Sequence, residues 1–464
     1  MDNKENKELN KVLNTGDVLV TAFGAMIGWG WVVSSGGWIQ KAGTIGTMIA
    51  FLIGGIMIYF VGLAYAELTT AIPESGGATV FTNRAFGPTA SFICTWAIIL
   101  SYIGVVCFEA CSLPTIIQYI LPGFLKVYLY TVAGFDIYLT WLIVAIIFAL
   151  LITYINIKGV KAAARFQKVL TIMIGVVGVI LVVASGINGD ASNLNGQIFV
   201  GDSEQNILKN ILAVAVVAPF FLFGFDVIPQ AAAEINVPLK KLGKLLVLSI
   251  ALAVAFYGLV VFAVGYGMNV NEVSSSMNGS GLVTADAMAK LFNNTIMAKV
   301  LIIGGMCGIV TSWNSFMIGG SRALMAMANS QMIPTIFAKT HPKYKTPHYA
   351  LILIGFLSIV SLFFGRVMLV WIADCASLAC CVSYCMVSMA FLKLRTKEPF
   401  LERPFKVKNY RLKGFIAVIL SAFMCLVYLI PNTGCTLKIQ EFIIALGWII
   451  MGIIFALISK IKYK

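Results

Sequence analysis

Twelve apolar stretches dominate the sequence, and each is about as long as a helix that crosses a lipid bilayer. They cover residues 18–39, 43–70, 90–119, 137–157, 164–186, 207–233, 245–266, 300–328, 349–364, 367–392, 415–430 and 441–459. The hydrocarbon core of a bilayer requires about 20 residues of α-helix, and backbone groups inside it must be hydrogen-bonded within the segment. The sequence therefore predicts an all-α membrane protein with twelve transmembrane helices, helix 1 to helix 12 in chain order.

Composition indicates the same class. Hydrophobic residues make up 60% of the chain and charged residues only 11%, and the mean hydropathy is +0.93. An ordinary soluble domain contains about 25% charged residues. The first apolar stretch has no small-residue cleavage pattern after it, so we expect it to be retained as a span and not removed as a signal peptide. The lipid bilayer is thus the first predicted partner of the chain.

Lysine and arginine residues are concentrated in alternate loops. With the N-terminus inside, 26 of the 33 basic residues lie on the inner side. The seven on the other side are Lys41, Lys126, Lys209, Lys290, Lys299, Arg366 and Lys438. The positive-inside rule predicts a multi-pass protein of the cell membrane with both termini in the cytoplasm. Short basic loops beside anionic lipid account for the net charge of +14, so no nucleic-acid partner is predicted.

Glycines interrupt helix 1. The stretch GAMIGWGWVVSSGG, residues 24–37, contains five of them. Each glycine inside a helix costs about 0.5 to 1 kcal/mol relative to alanine, so we predict a break near Gly28 to Gly30. Backbone groups freed at this depth are tolerated only where protein or water surrounds them. Two interpretations are open: a binding site built on the freed groups, or close helix packing through Gly24 and Gly28.

A second interruption lies in helix 6, within VAPFFLFGFDVIPQAAAEINVP at residues 217–238. Pro219 removes a helix hydrogen bond, Gly224 permits an unwound turn, and Asp226 places a carboxylate two residues beyond it. Helices 1 and 6 occupy corresponding places in two five-helix halves, helices 1–5 and 6–10. Broken helices in corresponding places of an inverted repeat are typical of the binding site of a secondary transporter.

The predicted organisation follows from these breaks. Residues 1–16 form a cytoplasmic N-terminal tail, and residues 17–190 form the first inverted repeat. Residues 206–394 form the second repeat. Residues 395–464 contain a basic inner loop, the accessory helices 11 and 12 and a cytoplasmic tail. The predicted fold is thus a 5+5 inverted repeat with broken helices 1 and 6 plus two accessory helices.

Other chemistry-bearing residues give weaker signals. Glu109 in helix 3 is a buried carboxyl that serves either in transport or in a structural hydrogen bond to a neighbouring helix. The ten cysteines are scattered and form no C-x-x-C pair, so neither a metal site nor a cofactor is predicted. The sequence contains no H-E-x-x-H, G-x-S-x-G or nucleotide-binding P-loop motif, which argues against an enzyme.

In order and spacing, five segments resemble the amino acid/polyamine/organocation (APC) transporter superfamily. They are GAMIGWG in helix 1, YAELTTAIPESGGATVFTNRAFGP after helix 2, FLFGFDVIPQAAAEINVP in helix 6, SWNSFMIGGSRALMAMANSQMIPTIFAKTHPKYKTP from helix 8 and DCASLACCVSYCMVSMAFLKLRTKEPFLERPFKV from helix 10. The resemblance extends from helix 1 to the loop after helix 10.

The resemblance implies a site at the two breaks. In this superfamily, N–H groups of the unwound part of helix 1 bind the substrate carboxylate, and carbonyls of helices 1 and 6 accept hydrogen bonds from its ammonium. A further aromatic ring on helix 8 lines or gates the site. The residues implied here are Ala25, Met26, Ile27, Gly28, Trp29, Gly30, Phe220, Phe223, Gly224, Asp226 and Trp313.

Three departures from the superfamily pattern bear on this site. Trp29 stands where a small residue is usual, so its indole is expected either to shrink the pocket or to project into the bundle. Asp226 stands where many relatives have glutamate. Helix 5 has an apolar residue, about Ile174, where proton-coupled relatives carry a lysine. Coupling through that lysine is therefore not expected.

The sequence thus predicts a secondary active transporter of small amine-bearing solutes, above all L-amino acids, working by alternating access in uptake, exchange or export. An amine or polyamine permease is the alternative, and a channel is a further one because broken helices also form selectivity filters. The coupling partner is either a counter-substrate or a proton. For proton coupling, the expected groups are Asp226 and Glu109.

Overall fold

The computed structural model describes residue 9 and residues 11–121, 123–365, 367–431 and 436–463. Its α-helices are α1 (Thr15–Met26), α2 (Gly30–Val33), α3 (Ser35–Ala42), α4 (Thr44–Ala71), α5 (Ala78–Phe86), α6 (Pro88–Ile120), α7 (Leu139–Ile157), α8 (Val160–Asn188), α9 (Glu204–Phe221), α10 (Val227–Gln230), α11 (Leu239–Gly267), α12 (Val270–Asn278), α13 (Val283–Leu291), α14 (Thr295–Asn329), α15 (His348–Leu362), α16 (Val367–Lys397), α17 (Tyr410–Leu429) and α18 (Ile439–Tyr463). Two strands, β1 (Tyr128–Val132) and β2 (Phe135–Tyr138), form an antiparallel hairpin. Most of the predicted N-terminal tail, as well as Arg366 and Lys464, lies outside the described residues.

Nine helices in the described part of the chain are long and apolar enough to cross a membrane. They are α4, α6, α7, α8, α11, α14, α16, α17 and α18. The prediction of a nearly all-helical, multi-span membrane protein is confirmed, but the count of twelve is not. Predicted helices 1 and 6 are each divided, and α15, in predicted helix 9, has only 15 residues. The orientation of the termini and the division into two repeats remain predictions.

Both predicted breaks are present. In helix 1, α1 ends at Met26 and α2 begins at Gly30, with Ile27 in a non-helical conformation (φ −108°, ψ 78°). In helix 6, α9 ends at Phe221 and α10 begins at residue 227. Gly224 in this gap has φ +129°, which side-chain-bearing residues rarely adopt. The broken geometry of helix 6 therefore depends on a glycine at this position.

The divided helices lie inside the bundle, and the last helix lies at its edge. α1 packs against α8, α11 and α14 and also contacts α10. The tryptophan side chains of Trp31, after the first break, and Trp313, on α14, are both fully buried. In contrast, α18 presents a long apolar surface that includes Ile443, Ile453 and Leu457. Such a surface is the expected outer layer of a bundle whose surrounding solvent is lipid.

The segment before helix 1 is attached to the segment after helix 6. Leu13 forms a parallel bridge with Ile235, and the N–H groups of Val12 and Leu13 donate to the carbonyl of Glu234 at 2.9 and 3.0 Å. The Glu234 carboxylate in turn accepts from Arg322 on α14 at 2.7 Å, and both side chains are buried. The two broken helices are thus fastened together at the ends predicted to face the cytoplasm.

A second polar cluster joins helices on this same predicted side. Glu67 near the end of α4 accepts from Arg395 of α16 at 2.7 Å and lies 3.1 Å from Arg403 in the following loop. Arg84 of α5 pairs with Glu398 at 2.6 Å, which raises the pKa of the Arg84 guanidinium. These pairs hold the loop after α16 against α4 and α5.

The sequence did not predict the short elements α5, α12, α13 and the β-hairpin. These segments are brief, and α5 and α12 mix polar and apolar residues, so they resemble loops in a search for long apolar stretches. The loop after predicted helix 2 contains the nine-residue α5. The helices α12 and α13 pack on α3, and Thr284 of α13 donates to the carbonyl of Trp31 at 2.8 Å. They form a cap over the half of helix 1 that follows the break.

Candidate functional site

A small cavity of about 30 Å³ lies between the two breaks. Its walls come from helix 1, α6, helix 6, α11 and α14. The lining residues are Ala25, Met26, Gly28, Trp29, Gly30, Val105, Phe108, Glu109, Phe220, Phe221, Phe223, Tyr257, Ser312 and Phe316. A water molecule needs about 10 to 15 Å³ of such space. A larger solute can therefore occupy this place only if the surrounding elements move apart.

The two breaks touch each other directly. A Cβ atom built on Gly224, in the helix 6 break, would lie 2.7 Å from the Cβ of Ala25 at the end of α1. Conversely, a Cβ atom built on Gly30, at the helix 1 break, would overlap the ring of Phe221 at the end of α9 in helix 6. Each break thus uses a glycine where the other helix approaches. This reciprocal contact explains why glycines occur at both breaks.

Neutral side chains satisfy carbonyl groups near the broken end of α1. The last four carbonyls of a helix have no partner within it. Here Thr311 donates to the carbonyl of Gly24 at 3.2 Å, and Tyr257 donates to that of Met26 at 3.1 Å. In contrast, the N–H groups of Gly28 and Trp29 have no acceptor among the described residues. The break therefore leaves two donors without an acceptor in the described part of the chain, while the carbonyls of Gly24 and Met26 are engaged.

Glu109 has the single carboxyl group among the described side chains that line the cavity. Its side chain is 2% exposed, and its carboxyl interacts with the hydroxyl of Ser312. A Cβ on Gly28 would overlap Oε1 of Glu109, whereas Oε2 has no hydrogen-bond partner among the described residues. No lysine, arginine or histidine in the described part of the chain lines the cavity. A buried carboxyl with a free oxygen is suited to bind either a proton or an ammonium group.

Eight of the sequence-predicted residues lie on the cavity, and four do not. Those on it are Ala25, Met26, Gly28, Trp29, Gly30, Glu109, Phe220 and Phe223. Of the others, Ile27 is fully buried in the core and Gly224 lies behind the cavity against Ala25. Trp313 is also fully buried and lies next to Ser312 along α14. Trp29 packs its indole against Gly305 of α14, so it projects into the bundle while still contributing to the cavity wall.

Asp226 is the fourth predicted residue that does not lie on the cavity, and it belongs to a separate buried cluster. Tyr102 of α6 donates to its Oδ2 at 2.5 Å, and Tyr384 of α16 donates to its Oδ1 at 2.8 Å. The N–H of Gly224 also donates to Oδ1 at 3.2 Å. Both carboxylate oxygens are therefore engaged by the protein. Asp226 connects the break of helix 6 to α6 and α16 instead of facing the cavity.

Sequence reasoning missed six cavity residues: Val105, Phe108, Phe221, Tyr257, Ser312 and Phe316. Three of them had a local signal, since Phe108, Phe221 and Ser312 are each adjacent in sequence to a predicted residue. Tyr257 had none, because an apolar helix such as α11 does not reveal which of its faces points inward. Its ring stacks on Phe51 at 4.9 Å, which places its hydroxyl beside the end of α1.

Neutral amides face the end of α1, and they begin with Gln167 on α8, the helix predicted as helix 5. Gln167 of α8 donates to the hydroxyl of Ser315 at 2.9 Å and accepts from Asn314 at 2.9 Å. Asn156 of α7 donates to Asn314 at 2.9 Å and completes this buried network. Ile174, two turns further along α8, is fully buried and apolar. The network therefore fills the space between α1, α8 and α14 with uncharged groups.

Comparison with known proteins agrees with this architecture. The family model described as Amino acid permease matches residues 13–455. The chain is 25% identical to the branched-chain amino acid permease BcaP of Bacillus subtilis, over 99% of this chain and 95% of BcaP. It is also 25% identical to the methylthioribose transporter of B. subtilis, over 93% and 90% of the two chains, and 24% identical to the aspartate-proton symporter of that organism, over 89% and 78%. The extent of these matches, together with the paired breaks, shows that the chain belongs to the amino acid permease family of the APC superfamily.

Proposed function

We propose that this protein carries a neutral L-amino acid with a small or branched apolar side chain across the membrane by alternating access. The observation that carries the proposal is the small cavity between the two breaks, which combines free N–H groups, one carboxyl and aromatic walls. A zwitterion moved into a membrane needs partners for both of its charges. The N–H groups of Gly28 and Trp29 suit the carboxylate, and Glu109 suits the ammonium.

The walls support an apolar substrate side chain. Apart from the backbone at the break, the cavity is bounded mainly by Val105, Phe108, Phe220, Phe223 and Phe316. A substrate with a basic side chain would bring a second cation to a single carboxyl. A substrate with an acidic side chain would meet no basic group among the described residues of the wall. The similarity to a branched-chain amino acid permease supports the same choice.

Glu109, and not Asp226, is the proposed proton-coupling group. Asp226 already accepts three hydrogen bonds from the protein, whereas Glu109 has a free oxygen beside the cavity. Binding of a proton and a substrate at one place links the two, because each changes the free energy of binding the other. The similarity to an aspartate-proton symporter supports a proton as the coupling ion. Exchange against a second amino acid uses the same site without a proton.

An amine permease is the second candidate, and Glu109 is the observation that favours it. A carboxylate on the wall would attract an amine that lacks a carboxyl group and would repel a substrate carboxylate held nearby. The two candidates differ in what they require of the ligand. An amino acid carrier needs both the ammonium and the carboxylate of the ligand, whereas an amine carrier needs only the ammonium.

The test is a thermal-shift series on the purified protein with leucine and two analogues. Isoamylamine lacks the carboxylate of leucine, and 4-methylpentanoate lacks the ammonium. A ligand at 100 times its Kd stabilises the folded protein by about 2.7 kcal/mol. We expect stabilisation by leucine, isoleucine or valine and none by either analogue. Stabilisation by isoamylamine alone would assign the site to amines, and no stabilisation by any amino acid would contradict the proposal.

Counterflow in proteoliposomes tests the mechanism. A carrier that alternates between two sides exchanges unlabelled internal substrate for labelled external substrate, so preloading accelerates uptake and the rate saturates. A channel shows conductance without acceleration by internal substrate. We expect accelerated, saturable uptake of the amino acid found in the thermal-shift series.

A further inference from the structure

We propose that a groove between α1, α8 and α11 binds an acyl chain of a membrane phospholipid, and that this acyl chain braces the half-helix α1. The groove is a cavity of about 360 Å³, separate from the cavity at the breaks. It is lined by Leu19, Val20, Phe23, Thr171, Gly175, Gly178, Val179, Val182, Val183, Leu252, Ala255, Phe256, Leu259 and Val260. Its one polar side chain, Thr171, donates to the carbonyl of Val20 at 3.4 Å.

The position of the groove in the fold indicates the hydrocarbon part of the bilayer. Its α11 residues, 252–260, occupy the middle of a 29-residue helix that is long enough to span, and its α8 residues belong to another such helix. Neighbouring side chains that face outward, such as Val176, Val179 and Leu259, are exposed and apolar. Lipid headgroups lie roughly 15 Å from the centre of the bilayer. The groove is therefore within reach of acyl chains but not of headgroups.

The surroundings of the groove favour an acyl chain as its occupant. Three packed helices, α1, α8 and α11, bound the groove, so an occupant has to enter between helices. An acyl chain is narrow and flexible enough to enter between helices. The space exists because two residues on α8 have no side chain: Gly175 has no atom within 4 Å of an added Cβ, and Gly178 lies under the ring of Phe256.

An acyl chain in this groove would contact α1 directly and would act on the segment after the break only through Phe256. Phe256, in the groove wall, makes edge-to-face contacts with Phe23 of α1 at 5.9 Å and with Trp31 of α2 at 5.4 Å. Leu19, Val20 and Phe23 expose part of their surface to the groove. Filling the groove adds packing contacts to α1 in its present position. Movement of α1 away from α8 and α11 would remove those contacts.

The experiment uses proteoliposomes of phosphatidylcholine that contain a small fraction of phosphatidylcholine with a photoactivatable diazirine in the middle of one acyl chain. After illumination, labelled residues are identified by mass spectrometry. We expect labelling of residues 171–183 and 252–260 several-fold above that of the lipid-facing side of α17. Gly175→Phe should remove this excess, because the new side chain enters the groove from a position where no atom lies within 4 Å of its Cβ. Gly447→Phe is the matched control, since Gly447 on α18 is equally open but distant in the fold.

The second readout is the rate of substrate exchange, and it rests on the proposed transport function. We expect Gly175→Phe to change this rate by at least threefold and Gly447→Phe to leave it unchanged. Labelling no higher than on α17, crosslinks to a second polypeptide in the groove, or an unchanged exchange rate in Gly175→Phe would overturn the proposal. If the wild-type protein transports no amino acid, the proposed function fails, whereas the labelling pattern still tests acyl-chain binding.

Discussion

The carboxyl of Glu109 lies over the backbone of Gly28, in the place where any other residue would carry its side chain. Glu109 belongs to the uninterrupted helix α6, whereas Gly28 belongs to the break of helix 1. The contact brings the carboxyl group of the cavity to the segment whose N–H groups have no acceptor among the described residues. Glycine at position 28 thus serves a close approach between two elements, in addition to interrupting the helix.

A methyl group at this contact should be enough to disturb the site. We expect Gly28→Ala to weaken substrate binding tenfold or more, about 1.4 kcal/mol, and Gly28→Leu to abolish it, because the added atoms take the place of the Glu109 carboxyl. Gly37→Ala is the control, since its Cβ would meet only Met277 at 3.9 Å. Binding is measured by thermal shift with substrate, and insertion by the yield of monodisperse protein. Normal binding by Gly28→Leu would contradict this account of helix 1.

Glu109→Gln should separate proton coupling from exchange. The amide has nearly the shape of the carboxyl but cannot take up or release a proton. In sealed vesicles we expect the variant to lose uptake driven by an imposed pH gradient and to keep exchange against internal substrate with a raised KM, because the amide binds the ammonium less tightly than the carboxylate does. Glu272→Gln is the control, since Glu272 pairs with Lys290 on the surface at 2.6 Å. Full gradient-driven uptake by Glu109→Gln would exclude Glu109 as the coupling group.

The outcome for Asp226 shows the limit of sequence reasoning. The breaks themselves were predictable, because Gly28, Pro219 and Gly224 act on the backbone of their own segments. The partners of Asp226 were not, since Tyr102 and Tyr384 are more than a hundred residues away in sequence and reach it only in the folded bundle. The same holds for Tyr257, whose place on the cavity depends on how α11 is rotated in the fold.

Asp226→Asn should impair transport because it disturbs the contacts of the helix 6 break with α6 and α16, and not because it removes a contact with substrate. An amide offers one acceptor oxygen where the carboxylate offers two, so one of the bonds from Tyr102 and Tyr384 must change. We expect the maximal uptake rate to fall tenfold or more with little change in KM, and Tyr384→Phe to act in the same direction. A raised KM with an unchanged maximal rate would instead place Asp226 at the substrate. Unchanged uptake in well-expressed Asp226→Asn would leave it no role in transport.

Arg322 and Glu234 form a salt bridge of a different kind from those at the surface. Their N and O atoms are 2.7 Å apart, and the two side chains are only 1% and 2% exposed. Removing one partner of such a buried pair leaves an uncompensated charge inside the protein, which costs about 3 to 5 kcal/mol, whereas replacing both partners by apolar residues is often neutral. The pair also holds the carbonyl of Glu234 where Val12 and Leu13 bind it.

We therefore expect Glu234→Gln to lower the melting temperature of the purified protein strongly and the double variant Glu234→Leu/Arg322→Met to recover most of the loss. The exposed pair of Glu272 and Lys290, at 35% and 40% exposure, provides the comparison. Glu272→Gln should change stability by less than about 1 kcal/mol, because water screens the pair. Equal effects of Glu234→Gln and Glu272→Gln would show that the inner pair is hydrated. A double variant less stable than Glu234→Gln would show that the pair itself stabilises the attachment between the two broken helices.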